Sequence, residues 1–188
     1  MDTYIALAHH PVRNKRGDEV ATAVTNLDIH DLARMARTFG VRGYYIVTPV
    51  SQQRSLVRRI ISHWVEGEGR DYNPVRAEAF SMVRVAENID EVVQDIGQET
   101  GHLPMTVVTG AAFGEKGLAY DTLRKRIASE PGSCLLIFGT GWGLTDAFVE
   151  ACQFQLPGIA AADPNGDYNH LSVRSAVAII LDRLLGNR

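Results

Sequence analysis

Apolar residues along this chain fall into two alternating patterns. Short continuous runs at residues 3–8, 43–48, 81–86, 105–110 and 134–138 read as buried strands. Between them apolar positions recur at three- and four-residue spacing, which predicts amphipathic helices. The first, over 25–40, carries Leu32, Met35, Ala36 and Phe39 on its stripe, with Asn26 as cap, Asp28 in the first turn and Gly40 as terminator. A second is capped by Ser51 and turns Leu56, Ile60, Ile61 and Trp64 inward. A third starts at Asn88 and buries Val92, Val93 and Ile96, a fourth covers 118–129, and Thr145 is placed to cap a short one around 147–149. The last, 171–185, repeats Val173, Ala176, Val177, Ile180, Leu181 and Leu184. Strands and helices alternating in this way predict an α/β fold with a mainly parallel sheet and helices on both faces.

Proline and glycine punctuate the pattern. Pro11 and Gly17 make 9–18 a loop at the carboxyl end of the first strand, where open α/β sheets place ligands. Residues 66–74 are the most turn-rich run and read as a loop; 156–161 reads as a loop leading to a brief edge strand, and 163–167 as a turn. At 188 residues and 45% hydrophobic content the chain suits one core, so 1–188 is expected to be a single domain. Its apolar runs fall far below the roughly 18 residues of a membrane span, and Met1-Asp2-Thr3 does not open a signal peptide. A cytoplasmic protein without membrane contact is expected. Cys134 and Cys152 have no second CxxC or zinc-spaced histidine beside them, so both are expected to be buried free thiols, with no metal site.

The net charge of −3 argues at first against a nucleic-acid partner, but its distribution is uneven. Residues 1–70 carry +3 and residues 71–188 carry −6, so a polyanion would favour the first third. Candidate phosphate contacts there are Arg13, Lys15 and Arg16 in the first loop, Arg37 on the first helix, and Arg54 and Arg58 one helical turn apart on the second. The alternative is a set of ordinary solvated charges. His30, Arg34 and Arg37 share a helical flank, and Arg34 is equally placed for a surface ion pair with Asp31 or Asp28.

The chemistry concentrates in the last third. Phe138-Gly139-Thr140-Gly141-Trp142-Gly143-Leu144 leaves a strand through three glycines, which can take positive φ and let a flat ligand lie against the backbone. Tyr168-Asn169-His170-Leu171-Ser172-Val173-Arg174-Ser175-Ala176 leads a polar entry into the apolar last helix. A dinucleotide-binding turn would use Gly139-x-Gly141 with Asp163 as the ribose acid, but Leu144 stands where its third glycine belongs, and only 45 residues follow Gly143. GxxxxGK[ST], GxSxG and HExxH motifs are absent from the sequence.

Together the two pieces resemble the cofactor-binding end of the SPOUT superfamily, S-adenosylmethionine-dependent RNA methyltransferases whose chain ends in a deep trefoil knot. Nearly the whole chain is similar to a branch of small bacterial SPOUT proteins, sometimes fused to a tRNA guanine methyltransferase, that share the wording TNLDIHD…AR, FGTGWGL and YNHLSVRSA. The resemblance implies a knot-forming cofactor region over about 105–188, a homodimer, and methyl transfer to a ribose oxygen or base nitrogen of tRNA or rRNA. It implies cofactor contacts at Thr109, Gly110, Phe138, Gly139, Thr140, Gly141, Trp142, Gly143, Leu144, Ile159, Tyr168, Asn169, His170, Leu171 and Ser172. Trp142 alternatively fills a core or dimer contact, and His170 and Ser172 alternatively cap the last helix. Arg34 falls on the arginine of the first family motif, six residues before Gly40, while Asp28 stands where that motif has asparagine. Catalysis is thereby expected from Arg34, with Asp28, His30 and His170 as candidate proton acceptors. The departure at Asp28 leaves a second reading, a module that binds S-adenosylmethionine or RNA without transfer.

Overall fold

The computed structural model describes residues 1–111, 113–114, 117–163 and 168–187. Six strands, β1 (Asp2–Ala8), β4 (Gly43–Val47), β5 (Val83–Ala86), β6 (Met105–Thr109), β7 (Ser133–Gly139) and β8 (Phe154–Leu156), form one all-parallel sheet. Their order is β5-β4-β1-β7-β6-β8. The helices are α1 (Asn26–Thr38), α2 (Ser51–Val65), α3 (Glu68–Tyr72), α4 (Pro74–Phe80), α5 (Ile89–Thr100), α6 (Tyr120–Ser129), α7 (Asp146–Ala151) and α8 (Val173–Leu185). Side chains alternate across the pleat. Ile5, Leu7, Ile46, Leu136 and Phe138 face α1, α2, α4, α6 and α8. Tyr4, Ala6, Val47, Leu135 and Ile137 face α5 and α7. Both faces are covered, which is why the strands read as unbroken apolar runs.

α8 is held by Val177, Ile180, Leu181 and Leu184, all buried, each contributing on the order of 2 kcal/mol of transfer free energy before chain entropy is charged against it. Ser172, as N-cap, accepts from the Ser175 N–H, and Asn88 caps α5 in the same way through Glu91.

Several expectations need correction. The cap of α1 is Thr25, whose extended backbone lets its hydroxyl oxygen accept from the Asp28 N–H at 3.2 Å; Asn26 is the first helical residue. Ser51 likewise lies inside α2, and its stripe is Val57, Ile60, Ile61 and Trp64, the i, i+3, i+4, i+7 set; Leu56, one step round the helix, is half exposed. Residues 66–74 hold α3 and the start of α4 rather than a loop. Gly69 lets α3 close on α2, since a Cβ there would lie 2.8 Å from the His63 carbonyl and the Trp64 ring, while Asn73 caps α4 with Pro74 at its first position. The edge strand β8 precedes the 156–161 loop instead of following it. Within the first loop, β2 (Val12–Arg13) and β3 (Glu19–Val20) pair antiparallel. Cys134 is buried and Cys152 half-buried, and burial pushes both thiols up, to about 12 and about 11. Of the turn expected at 163–167, only Asp163 lies within the described residues.

Candidate active site

Because every strand of the sheet runs the same way, the carboxyl ends of β1, β6, β7 and β8 meet along one edge. From β1 the chain builds β4 on one side and β7 and β6 on the other, so the sheet's switch point lies beside β1, where ligands of open α/β sheets bind. Residues 140–144 leave β7 there. Gly141 and Gly143 take φ of 60° and 94°, left-handed values that favour glycine. The loop folds back on β7, with Leu144 packed so close to Gly139 that a Cβ on the glycine would lie 2.7 Å from it.

Two adjoining clefts open at this edge. The first, about 520 Å³ of solvent-open space, is mostly apolar: Phe138, Ile159, Leu171, Val173 and Ile180 supply its walls, and Gly110, Pro157 and Gly158 bring backbone close. Thr109 is tied down by its hydroxyl, which donates to the Ile137 carbonyl, and Asn169 donates its side-chain amide to the Ile159 carbonyl at 2.9 Å. The second, about 900 Å³, shares Thr109, Gly110, Ala111, Asn169 and Leu171 with the first and adds Arg13, Trp142 and His170. Trp142 and Tyr168 are largely exposed, and the Tyr168 ring meets His170 edge-on. Of the residues the resemblance points to, Thr109, Gly110, Phe138, Gly141, Trp142, Gly143, Leu144, Ile159, Asn169, His170 and Leu171 therefore line one cleft or both, while Ser172 caps the helix behind them.

The candidate catalytic residues are not gathered in one place. Arg34 is exposed on α1; the carboxylates expected to pair with it are engaged by Arg174 of α8, at 3.2 Å from Asp28 and 3.2 Å from Asp31. Asp28 is buried, and its second oxygen accepts from the Thr25 hydroxyl at 2.5 Å. His30 packs against Trp64 and Phe80, and its pKa is lowered by burial and then by Arg76. The cations divide as well. Lys15 and Arg16 stand exposed at the tip of the β2–β3 turn, and Arg58 is exposed on α2. Arg13 pairs with Asp146, Arg37 with Glu78, and Arg54 bonds the Thr48 carbonyl and Glu87.

Sequence reasoning passed over Arg174, Gly158 and His9. A signal existed for Arg174: a cation in the first turn of a helix opposes the dipole and points to a nearby carboxylate. His9, at the end of β1, is wholly buried, and burial pushes its imidazole down to about 4 against a weak opposing pull from Asp28. Above the ordinary value of 6.5 the folded and unfolded chains both hold it neutral. Between 6.5 and about 4 the unfolded chain takes up a proton that the folded chain refuses, so stability falls as pH falls through that window, by up to about 3 kcal/mol. Urea unfolding at pH 7 and pH 4.5 checks this, with His9→Asn expected to lack that part of the drop.

The chain has relatives in both sequence and structure. A tRNA (guanine-N(1)-)-methyltransferase of Oleidesulfovibrio alaskensis is 44% identical over 184 residues, 98% of this chain but 42% of its own length. The chain thus spans less than half of that relative. An uncharacterized protein of Aquifex aeolicus is 42% identical over 97% of this chain and 88% of its own. Among solved structures, a probable methyltransferase of Bordetella pertussis superposes with a TM-score of 0.61 at 14% identity, over 97% of this chain and 94% of that one. The SpoU methyltransferase AviRb of Streptomyces viridochromogenes, in complex with AdoMet, superposes at 0.57 and 16%, over 97% and 56%. These likenesses show a shared fold. The sequence model of the SAM-dependent RNA methyltransferase family matches residues 2–186, and this chain is a member of that family.

Proposed function

We propose that this chain transfers the methyl group of S-adenosylmethionine to a ribose oxygen or base nitrogen of tRNA or rRNA. The observation that carries the reading is the pair of adjoining clefts, one apolar and backed by close backbone, one polar and open, with five residues in common. The apolar cleft fits an adenine: apolar walls from Phe138, Ile159, Leu171 and Ile180 stand beside backbone groups of Gly110, Ala111 and Gly158. When bound, S-adenosylmethionine supplies a methyl already activated by its sulfonium. The chain's part is to align the acceptor, exclude water and accommodate one proton.

Arg34, exposed and without an ion pair among the described residues, is available to stabilise a developing negative charge on the acceptor. Asp28, buried and doubly bonded, serves better to hold the first turn of α1 than to take a proton, whereas His170 stands at the rim of the polar cleft. Arg34→Ala is expected to lower methyl transfer roughly hundredfold or more while S-adenosylhomocysteine affinity stays within about twofold. Equal loss of both would contradict this role. Lys15 and Arg16 are the cations best presented to RNA.

We also read 1–188 as one cytoplasmic domain acting as a homodimer, with the chain after about residue 105 threaded into a trefoil knot. Supporting this, β7 inserts between β1 and β6, and α8 returns from the sheet edge at β8 to pack on α1 and α6. Exposed Leu27, Trp142, Tyr168 and Leu171 offer apolar surface to a second copy. Among the described residues no helix is long and apolar enough to cross a membrane. Light scattering at the monomer mass would sink the dimer, and a mechanically stretched chain that reaches its full contour length would sink the knot.

Calorimetric titration with S-adenosylmethionine, S-adenosylhomocysteine, NAD and ATP tests the cofactor. Saturable binding of the first two alone is expected. NAD binding in their place would overturn the reading, and binding without transfer to any RNA would leave a silent binding module.

A further inference from the structure

His9, which is buried, and the half-buried Thr22 and Thr140 form a hydrogen-bonded chain that ties the loop after β1 to the glycine loop after β7. His9 Nδ1 lies 3.0 Å from Thr22 Oγ1, which lies 2.5 Å from Thr140 Oγ1. The Thr140 hydroxyl donates to the Ala8 carbonyl at 3.3 Å. With the Thr140 proton assigned to that carbonyl, which can only accept, Thr140 accepts from the Thr22 hydroxyl and Thr22 accepts from His9. This assignment puts the imidazole proton on Nδ1. Its Nε2, buried, has no hydrogen-bond partner among the described residues.

An apolar side chain would fill the same space without an orphaned acceptor, so what the imidazole adds is the Nδ1–H bond. Around it the two loops are joined repeatedly. The Arg13 N–H donates to the Gly143 carbonyl, the Trp142 N–H to the Arg13 carbonyl and the Thr145 N–H to the Pro11 carbonyl, while within the first loop the Thr22 N–H donates to the His9 carbonyl. Gly141 lies so close that a Cβ would sit 3.1 Å from the Arg13 carbonyl and 3.3 Å from the Thr22 methyl.

We propose that His9 is a positioning residue for methyl transfer: its Nδ1–H, acting through Thr22 and Thr140, clasps the glycine loop in the conformation that forms the polar cleft and joins it to the turn bearing Lys15 and Arg16. The proposal rests on the function proposed above. It places no chemistry on His9, which touches neither donor nor acceptor.

The test combines ring-nitrogen NMR with binding and kinetics on the full chain. NMR at pH 7 is expected to show His9 neutral and protonated at Nδ1; an Nε2–H tautomer would overturn the clasp whatever the protein binds. His9→Asn, whose amide sits near the Nδ1 position, is expected to keep S-adenosylhomocysteine affinity and the KM for RNA within about threefold. His9→Gln, whose amide reaches toward Nε2, and Thr22→Val are each expected to weaken both about tenfold, and the double variant His9→Gln/Thr22→Val no further than either alone. Thr22→Val removes one hydroxyl at nearly constant shape, so it carries the comparison if His9→Gln does not fold. Equal behaviour of the Asn and Gln variants, or additive losses, would overturn the clasp. Failure of the unaltered protein to bind S-adenosylhomocysteine would instead bring down the proposed function, and this role with it.

Discussion

Replacing Gly158 with valine is expected to weaken S-adenosylhomocysteine binding roughly tenfold to hundredfold while the chain still folds. Gly158 begins the return from β8, and its N–H donates to the Phe113 carbonyl at 3.0 Å. A Cβ there would lie 2.6 Å from the Ala111 carbonyl oxygen and 3.2 Å from that of Gly110, and both are backbone atoms that cannot rotate aside. The turn after β8 and the turn after β6 are thus in direct contact, and together they make one wall of the apolar cleft. A branched side chain must push these turns apart, at a cost of about 1–3 kcal/mol for overpacking, most of it paid where the cleft should close on its ligand. Calorimetry on Gly158→Val, with a thermal melt to confirm folding, is the check. Unchanged affinity would mean that the donor is held elsewhere.

Arg174→Ala is expected to cost about 2–3 kcal/mol of stability and several-fold in cofactor affinity. Arg174 bridges the start of α8, which carries Val173, Ala176 and Ile180 into the cleft, to Asp28 and Asp31 of α1. The Asp31 contact is half open to water and is worth little. The Asp28 carboxylate, only 7% exposed, would lose a charged partner and keep the Thr25 hydroxyl. Full loss of a partner in a buried pair costs about 3–5 kcal/mol, but Arg174 is 30% exposed and water can enter behind it, which lowers the figure. Arg174→Lys should fall between, since one ammonium cannot span both carboxylates as the guanidinium does. Urea unfolding reads the stability, and an unchanged midpoint in the alanine variant would contradict the bridge.

These two residues show where the sequence was legible. The strands of the central sheet, apart from the short β8, and the last helix were plain, because burial on both faces writes unbroken apolar runs and a single apolar stripe writes α8. The end of β7 and the turn after it were plain, because three spaced glycines break a strand, and Gly141 and Gly143 take left-handed φ there. Pairings across long stretches of sequence were not. Arg174 and Asp28 are 146 positions apart, and nothing local marks one as the partner of the other. Arg54 stands one turn from Arg58, the spacing of a ladder, yet Glu87 and the Thr48 carbonyl just past β4 claim it. The β2–β3 ribbon pairs two residues on each side, too few to show a period. Residues 66–74 misled because their glycines and proline begin and pack short helices instead of ending long ones. His9 left no signal, since its role depends on two threonines that only the fold brings beside it.

The most direct test of the account is transfer of a labelled methyl group from S-adenosylmethionine to RNA by the purified chain. Separate tRNA and rRNA pools would be offered, followed by nuclease digestion to locate the label, with Gly158→Val run in parallel. The account predicts that label enters RNA at a ribose oxygen or base nitrogen and that Gly158→Val sharply reduces it. Saturable cofactor binding with no label in any RNA, or transfer undiminished by the valine, would contradict it.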